Sequence, residues 1–254
     1  MSLFESPKFL ISQTRENLCE LDLICREFLT RSNGRRVVEK DPVTGNKTFK
    51  IIFRELIPAK ARHIVATAVN DLRHALDQAT CAIVGAVTGA DLGLIYFPIA
   101  TNPNDLQGRV GKFPIELGNV FLGFQSYPPG VGYLGGNAPI CSLAKAAQRK
   151  HRVSCGLSGR VSQMAINEIR VTEKIDFRMP PDWDPVKNEM MLAITGPDGN
   201  LNYDVKLEVF MAFYDAGPLT GEPVEACLRA LLLEVETIVS ALEAEASRIL
   251  AGRL

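Results

Sequence analysis

Residues 61–85 read ARHIVATAVNDLRHALDQATCAIVG, and the way this stretch divides its side chains decides the fold. At about 100° per residue, Val65, Leu72, Ala79 and Ile83 share one face, flanked by Ala68, Val69 and Leu76. The opposite face carries His63, Thr67, Asn70, His74, Asp77 and Cys81, neighbours at three- and four-residue steps on a helix surface. Arg62, Arg73 and Thr80 line one flank of this stripe, and Asp71 and Gln78 the other. A helix with one apolar face needs partners to bury it, so other helices are expected elsewhere in the chain. The six-residue stripe holds neither Lys nor Glu, the usual residues of a solvated face. His, Asn, Asp and Thr are side chains that meet one another or a ligand. A wetted helix side and a functional surface both fit the pattern.

Moving outward, Ser6-Pro7 opens an N-terminal helix, with Ile11, Thr14, Leu18, Leu21, Cys25 and Phe28 as its packing seam. Ser32-Asn33-Gly34 ends it. At the other end, Gly221-Glu222-Pro223 precedes Val224, Leu228, Leu231, Val235, Ile238, Leu242 and Ile249, a seam interrupted only by Glu245. Ala138-Pro139 opens a shorter helix with Leu143, Ala146 and Ala147 as apolar positions. Between these lie β-like insertions. RRVVEK and KTFKIIFREL flank the turn string DPVTGN, and a second hairpin is expected around Gly196-Pro197-Asp198-Gly199-Asn200. LGLIYFPIA reads as a short buried extended segment, Thr101-Asn102-Pro103-Asn104 as a turn or cap, and 105–117 as a short helix. Trp183 is expected to cover a sheet. The chain is thus expected to be α+β, one domain over 1–254. Its helical bundle of about four main helices spans about 6–31, 60–86, 138–152 and 222–252. An appended antiparallel sheet draws on β-rich insertions at about 35–57 and 159–215.

Composition narrows the function classes. With 28 Lys and Arg against 29 Asp and Glu, the net charge is −1, which excludes a chain basic throughout but leaves room for a local basic patch. No apolar run reaches the roughly 18 residues that span a bilayer, and the start lacks a signal-peptide pattern. Six cysteines without CxxC or CxxH spacing point to reduced thiols in a cytoplasmic protein. His63 and His74 lie about 16 Å apart along a helix axis, too far to ligate one ion, so neither a metal nor a cofactor is expected. GVGYLGG at 130–136 lacks the Lys-Ser/Thr of a phosphate loop, and no nucleophile elbow appears.

The densest positive charge is Lys145, Arg149, Lys150 and Arg152 around His151. These cations suit a helix C-terminus through its dipole, and equally suit phosphate or nucleic acid.

Four segments in order carry a resemblance: Leu72-Arg73-His74-Ala75-Leu76-Asp77, Phe97-Pro98-Ile99, Phe124-Gln125-Ser126-Tyr127-Pro128 and Lys150-His151-Arg152. The set resembles the L-R-x-x-L-D, F-P-I, Q-P-Y and K-H-R motifs of a family of uncharacterised bacterial and phage-associated proteins. Ser126 stands where that family has Pro, and Ala147 where it has Asn. The family in turn is distantly similar to HEPN-type helical bundles, many of them metal-independent ribonucleases. That resemblance implies a phage or defence association and a ribonuclease that uses an Arg and a His four to six residues apart on one helix; here one residue separates Arg149 from His151, and Lys145 rather than Arg precedes His151 by six. In such chemistry an imidazole moves the ribose hydroxyl proton and a guanidinium stabilises the phosphorane.

Two classes of function stay open. In the first, favoured here, the chain is a structural or partner-binding module. Arg73 and Asp77 then form an inter-helix polar cluster with Lys150, His151 and Arg152, and a homodimer can form through the long helices. In the second it is a nucleotide- or RNA-binding protein or ribonuclease. Arg73, Asp77 and His151 are then catalytic, Lys145, Arg149, Lys150 and Arg152 hold phosphate, and His74 and Asn70 complete the polar stripe.

Overall fold

The computed structural model describes residues 3–31, 34–89, 95–149, 156–172, 174–184 and 186–252. In chain order the elements are α1 (Glu5–Arg31), β1 (Arg35–Lys40), β2 (Lys47–Ile52), α2 (Ala59–Thr88), α3 (Pro103–Val110), α4 (Gly118–Gly123) and α5 (Ala138–Arg149). There follow β3 (Gly156–Val171), β4 (Ile175–Asp184), β5 (Glu189–Thr195), β6 (Leu201–Tyr214) and α6 (Val224–Ala251). The class is α+β.

The core is mainly helical, and strand residues such as Phe49, Met190 and Phe213 join it. Every seam residue of α1 expected to pack is buried, Thr14 included, and so is every one of the seven seam residues of α6. α2 packs against α1, α5 and α6, and α1 also touches α6. Being covered from several sides, α2 buries a wider arc than its apolar face alone, adding Ile64, Ala75, Thr80 and Val84. Thr80 is tolerated there because its hydroxyl donates to the Leu76 carbonyl one turn back, at 2.8 Å. The helix ends at Gly89, whose left-handed backbone (φ +67°) caps it with a bond to Gly85 O.

The strands differ from expectation in one respect. β5 and β6 flank the Gly196–Asn200 turn but do not pair with each other. One sheet runs β1-β2-β5-β4, and β3 pairs with β6 in a separate two-stranded ribbon. The turn itself forms, closed by Gly199 N–H to Gly196 O at 3.2 Å. β5 has β2 on one edge and β4 on the other, so β6 has no edge of β5 left to join. The two β-rich insertions therefore share a sheet. Trp183 covers it, stacked on Phe53 at 4.0 Å between ring centroids.

The irregular stretch before α5 is tied down. Gln125 adopts a left-handed backbone (φ +48°). Its carbonyl accepts from the Asn137 N–H, and its side chain accepts from the Gly136 N–H. Asn137 then caps α5, its side-chain oxygen accepting from the Ile140 N–H at 3.1 Å.

Candidate functional site

Residues 95–100 belong to no helix or strand and are hydrogen-bonded to α2. Their backbone groups still need partners, because Phe97, Pro98 and Ala100 are buried. The polar stripe of α2 supplies several of them. Asp77 accepts the Phe97 N–H at 2.9 Å, Arg73 reaches the Phe97 carbonyl at 3.4 Å, and the Cys81 thiol donates to the Ile95 carbonyl at 3.1 Å. Spaced one helical turn apart, Arg73 and Asp77 also pair with each other at 2.8 Å. From the other side, the buried Ser126 accepts the Ala100 N–H at its carbonyl and donates its hydroxyl to Pro98 O. The segment is clamped between the stripe and the 124–127 loop, with the Phe97 ring packed near Phe121 and Phe124.

The clamped segment walls a cavity of about 450 Å³. α2 contributes Arg73, His74 and Asp77; the segment contributes Tyr96, Phe97 and Ile99; α3 contributes Arg109; α5 contributes Ala144, Ala147 and Gln148. A second cavity of about 480 Å³ adjoins it, sharing Tyr96, Phe97 and Arg109 and adding Ile95, Pro98, Lys112 and Phe113. Arg109 is braced: its Nε meets Asp105 at 3.0 Å, and Asp105 in turn accepts the Thr101 N–H at 2.8 Å. Asn102 caps α3 by accepting the Asp105 N–H, so the arm that carries Arg109 is preorganised.

Burial dominates the electrostatics of the pair. It pushes the Asp77 carboxyl above its ordinary value, although Arg73 and the Phe97 N–H pull the other way. Burial likewise pulls the Arg73 guanidinium below its ordinary value against the attraction of Asp77. The neighbouring Asp71 carboxyl is also raised by burial, opposed by His74. Arg73 Nη1 is buried with no hydrogen-bond partner among the described residues, as is Asn70 Oδ1. Two guanidiniums and an imidazole around one cavity can hold and orient an oxyanion.

Arg73, Asp77 and His74 are thus brought to one cavity, and Arg73 and Asp77 meet each other and Phe97. Lys145 is exposed on α5 and is not among the residues lining either cavity. Arg149 is the last residue of α5, but its side chain, and Lys150, His151 and Arg152 entirely, lie outside the described residues. Sequence reasoning missed Tyr96, Arg109 and Lys112. The Asp105–Arg109 pair at i,i+4, just after an Asn cap, was the available signal for Arg109. Among the described residues no cluster of His, Cys, Asp and Glu is placed to hold a metal ion, and no helix is long and apolar enough to cross a membrane. Comparison with family models, curated proteins and solved structures finds no match to this chain.

Proposed function

We propose that this chain is a binding module whose α2–α3–α5 cavity takes a phosphate-type anion, with Arg73 and Asp77 as positioning residues. α1, α2, α5 and α6 act in this reading as a four-helix support for the cavity. One observation carries it. Arg73 is held in place by Asp77 and Phe97, and its side chain lines one cavity together with a second guanidinium, Arg109, and the His74 imidazole. Two guanidiniums on one open cavity offer planar, forked donors to an anionic oxygen.

Calorimetric titration of the full chain with inorganic phosphate and with pyrophosphate tests this. Saturable binding is expected. Arg109→Ala and Arg73→Lys are each expected to weaken it by about tenfold, the second because Lys keeps the charge but loses the planar fork. Absence of saturation in the millimolar range, or binding indifferent to both substitutions, overturns the reading. Cleavage of single-stranded RNA that disappears in His151→Ala would replace it with the ribonuclease alternative.

A further inference from the structure

We infer that the anion carries an aromatic body: its charged group sits among Arg73, His74 and Arg109, and its ring lies in the adjoining cavity between Tyr96 and Phe113. The inference rests on the anion-binding reading above and deepens it. Four observations support it.

The two cavities are continuous in their lining, since Tyr96, Phe97 and Arg109 belong to both. Their described lining holds three cations, Arg73, Arg109 and Lys112, of which Arg73 is engaged by Asp77 and Arg109 by Asp105, so one positive charge is left in excess. In a chain of net charge −1 this is a locally cationic trough.

Ile95, Pro98 and Phe113 line the second cavity, and among the described residues its lining holds no carboxylate. Phe113 is backed by a rigid array, stacked on the fully buried Phe121 at 4.7 Å between centroids, which itself meets Phe97 edge-on. Such a wall keeps its shape whether or not the cavity is filled.

Tyr96 is 57% exposed although both flanking residues, Ile95 and Phe97, are more buried. A large ring left open at the junction of the two cavities offers a stacking face. Two aromatic rings and a guanidinium favour a planar π-system over a flexible chain, through offset stacking and cation–π contact. A saturated body of equal size gains area burial alone.

Arg109 sits at the junction and is braced from behind by Asp105, so it can contact the charged group and the face of the ring at once. Each cavity is of a size that holds a compact ligand rather than a polymer segment.

The test compares inorganic phosphate, phenyl phosphate and hexyl phosphate by titration calorimetry on the full chain. Phenyl phosphate is expected to bind about tenfold tighter than inorganic phosphate and measurably tighter than hexyl phosphate. Phe113→Ala changes a residue that lines the second cavity and not the anion cavity, and is expected to leave inorganic phosphate binding intact while removing most of the gain, with a thermal melt reporting its separate effect on packing. Tyr96→Ala, at the junction of the two cavities, is expected to remove the gain of phenyl over hexyl phosphate. If inorganic phosphate binds but phenyl phosphate adds nothing, or if hexyl phosphate equals it, the aromatic inference falls and the anion site stands. An aryl gain that Tyr96→Ala leaves untouched also overturns it. If none of the three binds, both readings fall together. A single-stranded RNA that outcompetes phenyl phosphate through contacts insensitive to Tyr96→Ala points to a polymer ligand and overturns the compact one.

Discussion

Two ionic clusters each hold a cation largely withdrawn from water, and they behave in opposite ways. In the sheet, Lys50 of β2 is nearly buried between Glu39 of β1 and Glu189 of β5. Its ammonium is raised above its ordinary value, chiefly by the hydrogen bond to Glu39, and the Glu39 carboxyl is lowered by the same contact. Pairing wins there. On α2, Arg73 and Asp77 keep side-chain exposures of 18% and 17%, yet burial moves both groups toward their neutral forms. Desolvation wins. The geometric difference is the number of partners. Lys50 has two carboxylates, one of them open to water, whereas Arg73 has one carboxylate and a nitrogen with no partner among the described residues. A buried pair with little net benefit is kept for what it positions, which here is the Phe97 segment and the cavity wall.

That contrast can be broken. The largest effect is expected from Asp77→Ala, which leaves Arg73 buried and uncompensated and the Phe97 N–H without its acceptor. Urea unfolding should show a loss of about 3–5 kcal/mol, and a loss under about 1 kcal/mol means that Arg73 finds another partner. Lys50→Met comes next. It leaves Glu189, only 15% exposed at its side chain, without its cation, and should cost about 2 kcal/mol in the same measurement.

The double substitution Arg73→Met with Asp77→Asn sharpens the comparison. Asn keeps an acceptor for Phe97 N–H while both charges vanish, so stability should stay within about 1 kcal/mol of the parent. Phosphate binding should nevertheless disappear. A double variant as unstable as Asp77→Ala would show that the ionic pair itself, and not the acceptor, holds the segment.

The smallest effect lies in pH dependence, and its sign differs between the clusters. The folded state raises the Asp77 carboxyl, so its contribution is greatest below the unfolded value and is lost as pH rises through the folded one. The stability of the parent relative to Asp77→Asn should therefore increase as pH falls from neutrality into the carboxylate range. Glu39 is lowered, so its contribution is lost as pH falls, and the parent should lose ground against Glu39→Gln over the acid range. Parallel slopes from the two pairs of melts would erase the distinction.

Periodicity made most of the helical framework legible. The seams of α1 and α6 were readable residue by residue, because a three-four repeat over seven turns has few competing interpretations. So was the α2 stripe, including the one-turn spacing of Arg73 and Asp77. The pairing of β5 was not readable. A Gly-Pro-Asp-Gly-Asn string signals a turn, but which strand occupies each edge depends on the whole sheet, and β2 arrives from more than 130 residues away. The second wall of the site was hidden for a similar reason. Tyr96, Arg109 and Lys112 are ordinary residues in their own neighbourhoods and become a trough only when residues 95–100 are clamped onto α2.

By itself, the sequence determined the α+β class, the long amphipathic helices, the chain's near-zero charge and the presence of one polar stripe on α2. These are properties of local spacing and composition, and they survive any arrangement of the rest. Only the tertiary structure decided what the stripe meets. A backbone segment with unpaired N–H and C=O groups must find partners when buried, and Asp77, Arg73 and Cys81 were the nearest donors and acceptors. That demand turned a helix face into the wall of a cavity.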